Sequence, residues 1–158
     1  MEGIPYDTQL VMDGEGLRLK AYHCPAGKLT IGYGFNLERR GAEEAFEDAG
    51  GDYEDACDGG SITKHLAWQL LENDMETYRD ARREVFGDTG NDKIDAVLTD
   101  MTYNLGKAGV SSFRKMRAAV ADRDWERMAE EMKDSRWYKQ VKRRGTRIRN
   151  VQIVEDQV

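Results

Sequence analysis

The chain has 158 residues, of which 34% are charged and 39% are hydrophobic, so its length and composition indicate one soluble globular domain. It contains no apolar run near the roughly 20 residues that a bilayer-spanning helix needs, and we expect no stable insertion into a membrane. The formal net charge of -6 argues against nucleic acid as a partner.

Charge is distributed unevenly along the chain. Residues 38–58 contain nine acidic side chains, and residues 133–149 contain eight basic ones. Charge runs of this kind are usually solvated faces, which is the interpretation that we prefer for most of these residues. The alternative for the basic segment is a surface that binds an anionic polymer.

The N-terminus and the cysteines limit the cellular setting. Residues 1–7 have neither the basic region nor the apolar stretch of a signal peptide. The two cysteines, Cys24 and Cys57, do not have zinc-site spacing and are too few for a disulfide scaffold. We therefore expect no signal peptide, no metal and no cofactor.

The first third of the chain predicts a helix followed by a β-hairpin. A short helix is expected over residues 6–13, ended by Gly14 and Gly16. Apolar and polar residues alternate over residues 17–22, which predicts a strand. Residues 24–27 read Cys-Pro-Ala-Gly, a favourable tight turn, and residues 29–33 return as a second strand. Residues 42–49 predict a short helix.

From Thr63 onward the pattern is helical. Thr63 is a plausible N-cap for one long helix over residues 64–84, and apolar stripes at helical spacing continue to Val154. The sequence therefore predicts a predominantly helical α+β fold in a single domain, residues 1–158. In this fold a small hairpin lobe (about 14–62) and a larger helical lobe (about 1–13 and 85–158) are joined by a connecting helix (about 63–84).

Three residues around the hairpin carry chemistry. Glu15 lies where the first helix ends, Cys24 at the start of the turn, and Thr30 on the return strand. Pairing of the two strands brings Cys24 and Thr30 within a residue or two of each other. Glycoside hydrolysis needs an acid and a second group that activates water or attacks the sugar. On position alone, a solvated glutamate, a small buried cysteine and an ordinary strand threonine are the explanations that we prefer for these residues.

These residues resemble the catalytic stretch of the phage-type lysozymes, the muramidase endolysins of glycoside hydrolase family 24. The similarity lies in Glu15-Gly-Leu-Arg-Leu-Lys-Ala-Tyr, Cys24, Gly27 and Thr30-Ile-Gly-Tyr-Gly. Further matches extend it over roughly residues 8–150: Ile62-Thr63-Lys64, Tyr103-Asn104-Leu105-Gly106, Ser135-Arg136-Trp137-Tyr138 and Arg144. The resemblance implies the bilobed lysozyme fold.

The resemblance also implies a role for each matching residue. Glu15 corresponds to the general acid, and Thr30 to the residue whose hydroxyl places the water or the sugar. Cys24 stands where many members carry an aspartate, as base or nucleophile, and some members carry cysteine. Both inverting and retaining routes stay open. The residues expected to contact substrate are Tyr33, Asn104 and Arg144, the last at the position of an arginine that pairs with the catalytic glutamate.

We therefore expect a monomeric muramidase that hydrolyses the β-1,4 bond between N-acetylmuramic acid and N-acetylglucosamine in bacterial peptidoglycan. The expected setting is a phage endolysin, made in the host cytoplasm and acting in the periplasm or cell wall by a holin-dependent route. The alternatives are a virion-borne or secreted antibacterial muramidase and a degenerate peptidoglycan-binding protein.

Two further alternatives concern the cysteines. A Cys/His hydrolase built on His23 and Cys24 is disfavoured because adjacent strand residues point to opposite faces. A regulatory disulfide between Cys24 and Cys57 is possible in principle, but we expect that the two thiols do not meet.

Overall fold

The computed structural model describes residues 3–140 and 144–158. Most of the described residues are helical, and three short strands form one antiparallel sheet in the order β1-β2-β3. The predicted class, a predominantly helical α+β fold, is confirmed. Among the described residues, helices long and apolar enough to cross a membrane are not found.

The helices and strands follow the predicted order, with two additions. The strand β3 and the helix α3 are both too short to show a periodic pattern, so the sequence did not reveal them. In chain order the elements are α1 Tyr6–Glu15, β1 Arg18–His23, β2 Leu29–Gly32, β3 Phe35–Asn36, α2 Ala42–Asp48, α3 Tyr53–Cys57, α4 Lys64–Phe86, α5 Asp92–Ser111, α6 Arg114–Ala121, α7 Trp125–Asp134, α8 Arg136–Lys139 and α9 Arg144–Glu155.

The chain divides into two compact units, and the main boundary falls within α4, between Met75 and Glu76. The first unit contains residues 15–75, with the sheet, α2, α3 and the first half of α4. Its core packs side chains of the sheet and of α2 against α4: Ile31, Phe35, Leu37, Ala42, Phe46, Ala56, Ile62, Ala67 and Leu70 are all buried.

The second unit contains residues 4–14 and the described residues from 76 onward. Its core is larger and is formed mainly by α5, α6, α7 and α9. The fully buried side chains include Ile94, Val97, Leu98, Met101, Met116, Met128, Met132 and Val154. The methionine and aromatic stripes of the sequence are therefore core residues here, as their spacing indicated.

Of two predicted helix ends, the start of α4 is confirmed and the end of α1 is corrected. Thr63 caps α4 as predicted, because its hydroxyl accepts the N–H of Leu66 at 3.0 Å. The helix α1, however, continues through Gly14 to Glu15. At Gly14 a Cβ would lie only 3.2 Å from the Thr146 side chain, so the position favours glycine for packing. Gly16, with φ +74°, is the residue that ends the helix.

The charged segments differ in their exposure. All nine acidic side chains of residues 38–58 are exposed, so the prediction of a solvated face is confirmed for them. In the basic segment the same prediction is wrong for Arg147, which is buried and donates a hydrogen bond to the carbonyl of Gln140.

A buried arginine attaches α1 to α4 within the second unit. Arg79 donates to both carboxylate oxygens of Asp7, at 2.7 and 2.9 Å, and to the Thr8 hydroxyl at 3.0 Å. Burial opposes the ionisation of Asp7, but hydrogen bonds and positive charge from Arg79 outweigh it and lower the pKa of the carboxyl. This contact fixes the first turn of the helix whose last residue is Glu15.

Substitution of Gly51 by alanine should destabilise the first unit. A Cβ at Gly51 would lie 2.4 Å from the Phe46 ring and 2.9 Å from Leu66, both core neighbours. We expect overpacking to lower the free energy of unfolding by about 1–3 kcal/mol, measured by urea denaturation. Gly145→Ala is the matched control, since a Cβ there meets nothing within 4 Å in a helix. An equal loss in both variants would contradict the packing argument.

Candidate active site

The turn between β1 and β2 brings the candidate residues of the hairpin together. The N–H of Gly27 donates to the carbonyl of Cys24 at 2.8 Å, and the N–H of Cys24 donates to the carbonyl of Lys28 at 2.9 Å. In the ladder, Tyr22 lies opposite Thr30. Cys24 and Thr30 are therefore displaced by two positions across the hairpin, and the predicted proximity is confirmed.

The Cys24 thiol is half-buried and has hydrogen-bond donors around it. Hydrogen bonding from the main chain of Lys28 contributes most and lowers the pKa of the thiol. Burial acts in the opposite direction, and hydrogen bonds from the Thr30 side chain and the Ala26 main chain lower the pKa further. The site thus makes the thiolate, the reactive form of cysteine, more accessible than it is in an unperturbed cysteine.

Thr30 is buried, with 4% of its surface exposed. Its hydroxyl donates to the Lys28 carbonyl at 2.8 Å. A hydroxyl has one proton and two lone pairs, so in this geometry it can accept a hydrogen bond from the Cys24 thiol. To donate to a thiolate, it must turn away from the Lys28 carbonyl. The two protonation states of Cys24 therefore require two orientations of the same hydroxyl.

Glu15 is the last residue of α1 and is half-buried. Gly16, in the left-handed region with φ +74°, turns the chain after it, and β1 begins at Arg18. The predicted junction of helix and strand at Glu15 is confirmed. Glu15 therefore ends the helix shortly before β1, the strand that leads to Cys24.

The residues expected to contact substrate lie in different units. Tyr33 is half-buried between β2 and β3 and packs against the core of the first unit. Asn104 lies in α5, where its side-chain amide donates to the carbonyl of Asp100 at 2.9 Å. Gly106, with φ +73°, interrupts the helix two residues later. Arg144 is the first residue of α9, and its side chain lies outside the described residues.

The sequence did not single out two residues that flank the hairpin site. Tyr22 pairs directly with Thr30, and the guanidinium of Arg18 lies over the Tyr22 ring, 4.7 Å from its centroid. Counting the pairing outward from the turn would have found Tyr22. Arg18 could not be placed in this way, because the register shifts between these two residues.

A profile of the phage lysozyme family matches residues 12–151, which include the hairpin, α4 and most of α9. The chain belongs to the phage lysozyme family. This family consists of glycoside hydrolases that act on peptidoglycan.

A curated relative of this phage lysozyme is the pre-baseplate central spike protein Gp5 of Enterobacteria phage T4. The two are 28% identical over 156 residues, which cover 89% of this chain and 26% of Gp5. The chain therefore spans about a quarter of the length of this relative.

Cys24 and Cys57 are not joined by a disulfide in this structure. Cys57 ends α3 and lies beside Tyr53 in the first unit. His23 is exposed on β1. In the part of the chain that the structure describes, no group of three or more His, Cys, Asp or Glu side chains has the arrangement of a metal site.

The pH dependence of Cys24 alkylation should reflect its donors. Because the folded state lowers the pKa of the thiol, iodoacetamide should reach half its maximal rate at a lower pH in the folded protein than in urea. Thr30→Val removes one donor and should move the midpoint upward. Because the two pKa values differ, Cys24 adds to the free energy of unfolding. This addition is fully present above the pKa of the unfolded thiol and is lost as the pH falls through the pKa of the folded thiol. Coincident folded and unfolded midpoints would contradict the assignment.

Proposed function

We propose that this phage lysozyme hydrolyses the β-1,4 bond between N-acetylmuramic acid and N-acetylglucosamine, with Glu15 as general acid. The observation that supports this most strongly is the hairpin that follows Glu15, which brings Cys24 and Thr30 within two positions of each other and bonds both to the Lys28 carbonyl. Family membership supports the reaction class, and the hairpin supports the choice of residues.

In the proposed reaction, protonated Glu15 gives its proton to the glycosidic oxygen while the bond from this oxygen to the anomeric carbon breaks. Positive charge develops on the sugar ring. A water molecule must then add to the anomeric carbon and lose a proton, so that the product is a free reducing end. Thr30 is well suited to orient this water, because its buried hydroxyl is held by the Lys28 carbonyl.

Cys24 has two chemically consistent roles. As a base, its thiolate takes the proton from the attacking water, which inverts the anomeric configuration. As a nucleophile, its sulfur bonds to the anomeric carbon while the leaving oxygen departs with the Glu15 proton. Water then gives a proton back to Glu15 and displaces the thiolate, with net retention. The lowered pKa of the thiol supports either role, and the anomer of the first product distinguishes them.

The residues proposed to contact substrate are Tyr33, Asn104 and Arg144. Tyr33 presents an aromatic ring at the end of β2, and Asn104 an amide next to the break in α5. Arg144 is proposed to pair with Glu15. We further propose that the protein is a monomeric endolysin that reaches the cell wall from the host cytoplasm through a holin-dependent route.

Glu15→Gln should abolish hydrolysis while preserving the fold. The amide is similar in size but cannot supply the proton, so turnover should fall by about a hundredfold or more. The measurement is release of reducing sugar from purified peptidoglycan, together with clearing of permeabilised Gram-negative cells.

The matched control is Glu44→Gln, an exposed acid on α2, which should remain fully active. A fully active Glu15→Gln variant would refute the role of Glu15. If the wild-type protein pellets with peptidoglycan but releases no reducing sugar, the result would favour a binding protein instead.

A second candidate function is a muramidase carried in the virion. Its support is the similarity to a central spike protein, of which this chain spans about a quarter. The two settings predict different locations for peptides of this chain. Mass spectrometry of gradient-purified virions should lack them if the protein is an endolysin, and lysates collected before particle release should contain them. Stoichiometric peptides in the purified virions would favour the second candidate.

A further inference from the structure

The peptide group between Lys28 and Leu29 is hydrogen-bonded at both of its ends. Its N–H donates to a carboxylate oxygen of Glu38 at 2.5 Å. Its carbonyl accepts the N–H of Cys24 at 2.9 Å and the hydroxyl of Thr30 at 2.8 Å. One peptide plane thus connects a carboxylate outside the hairpin to both candidate catalytic residues on it.

Glu38 is exposed, yet the main chain on both sides of it is held in place. Its own N–H donates to the side-chain oxygen of Asn36 at 2.8 Å. The preceding residue, Leu37, donates its N–H to the carbonyl of Leu29 at 2.9 Å and accepts the Tyr53 hydroxyl at 2.5 Å.

The residue after Glu38 is fixed as well. Arg39 makes a bidentate contact with Asp74 of α4, at 2.7 and 3.0 Å, and lies over the Phe35 ring at 4.4 Å. The main chain that carries the Glu38 side chain is therefore held on both sides, so the contact with Leu29 requires little additional ordering of the main chain.

We infer that Glu38 is a positioning residue, which acts through the peptide group between Lys28 and Leu29 to hold the Cys24 thiol and the Thr30 hydroxyl in their reactive arrangement. The catalytic consequence rests on the proposed function. A hydrogen bond to a carboxylate is roughly twice as strong as one between neutral groups. Hydrogen bonds in series also polarise one another, so the Glu38 carboxylate makes the Lys28 carbonyl a better acceptor.

This arrangement controls the direction of the Thr30 proton. While the Lys28 carbonyl is a strong acceptor, the hydroxyl donates to it and offers its lone pairs to the site. The main chain of Lys28 also provides the largest hydrogen-bond contribution at the thiol, and it keeps its place only if this end of the hairpin is fixed. The exposed ionisable side chains next to Cys24 along the hairpin are His23 and Lys28, and both are retained in the Glu38 variants.

Glu38→Ala should move the Cys24 alkylation midpoint to higher pH by about half a unit or more. The hairpin end loses its restraint, and the loss of the Lys28 main-chain donor, which contributes most at the thiol, outweighs the Thr30 hydroxyl that becomes free to donate to the thiolate. The value of kcat on peptidoglycan should fall about tenfold with KM unchanged, since Glu38 acts on position and not on binding. Glu38→Gln keeps a neutral acceptor and should lie between the wild type and Glu38→Ala in both measurements.

The matched control is Glu44→Ala, which removes one exposed acid from the same unit and should change neither the midpoint nor kcat. Circular dichroism and thermal unfolding of each variant report the fold. A purely structural clamp would lower the melting temperature without moving the Cys24 midpoint or kcat, and that result would overturn the inference.

A Cys24→Ala variant separates this inference from the proposed function. If Cys24→Ala is fully active, the catalytic role of Cys24 fails, whereas a shifted midpoint in Glu38→Ala still supports the link between Glu38 and the thiol. If Cys24→Ala is inactive and Glu38→Ala matches the wild type in midpoint and kcat, the inference fails and the proposed function stands.

Discussion

The carbonyl oxygen of Lys28 accepts two hydrogen bonds, and the arrangement of the candidate active site depends on them. The bond from the N–H of Cys24 closes the hairpin and places the thiol at its end. The bond from the Thr30 hydroxyl fixes the orientation of this buried side chain. Because both bonds share one acceptor, a rotation of this peptide group disturbs the thiol and the hydroxyl together. The precision of the site is therefore set by main-chain geometry, which explains why its contacts extend to the segment that follows β3.

The fold could be predicted from sequence wherever the elements are long enough to show a period. The 23 residues of α4 and the apolar stripes of the second unit gave clear helical patterns. The two-residue β3 and the five-residue α3 have no period to detect. The end of α1 was misjudged for a different reason. Gly14 and Gly16 look alike in sequence, but Gly14 makes room for Thr146, and only Gly16 adopts the left-handed conformation that ends a helix.

The site could be predicted in part, because strand pairing follows from the length of a turn. A four-residue turn beginning at Cys24 is enough to bring Thr30 near the thiol. The register shift between Arg18 and Tyr22 has no sequence signal, so the stacked pair was missed. The contact of Glu38 was hidden as well, since it is one of nine acids in its segment and its acceptor role depends on tertiary folding. Long-range contacts between a side chain and the main chain leave no pattern in a single sequence.

A thiol at position 24 needs more hydrogen-bond donors from the surrounding hairpin than a carboxylate would. An aspartate at this position would already be ionised at neutral pH, whereas an unperturbed thiol is mostly protonated. A cysteine therefore needs donors that stabilise its anion, and the turn supplies them from the main chain of Lys28 and Ala26 and from Thr30. These donors also reduce the reactivity that they create, because a thiolate becomes a weaker nucleophile and base as its pKa falls. The best compromise is a thiol pKa close to the working pH. The peptide group that Glu38 holds at one end lies next to the Lys28 N–H, the donor that contributes most at the thiol, so its position bears directly on that compromise.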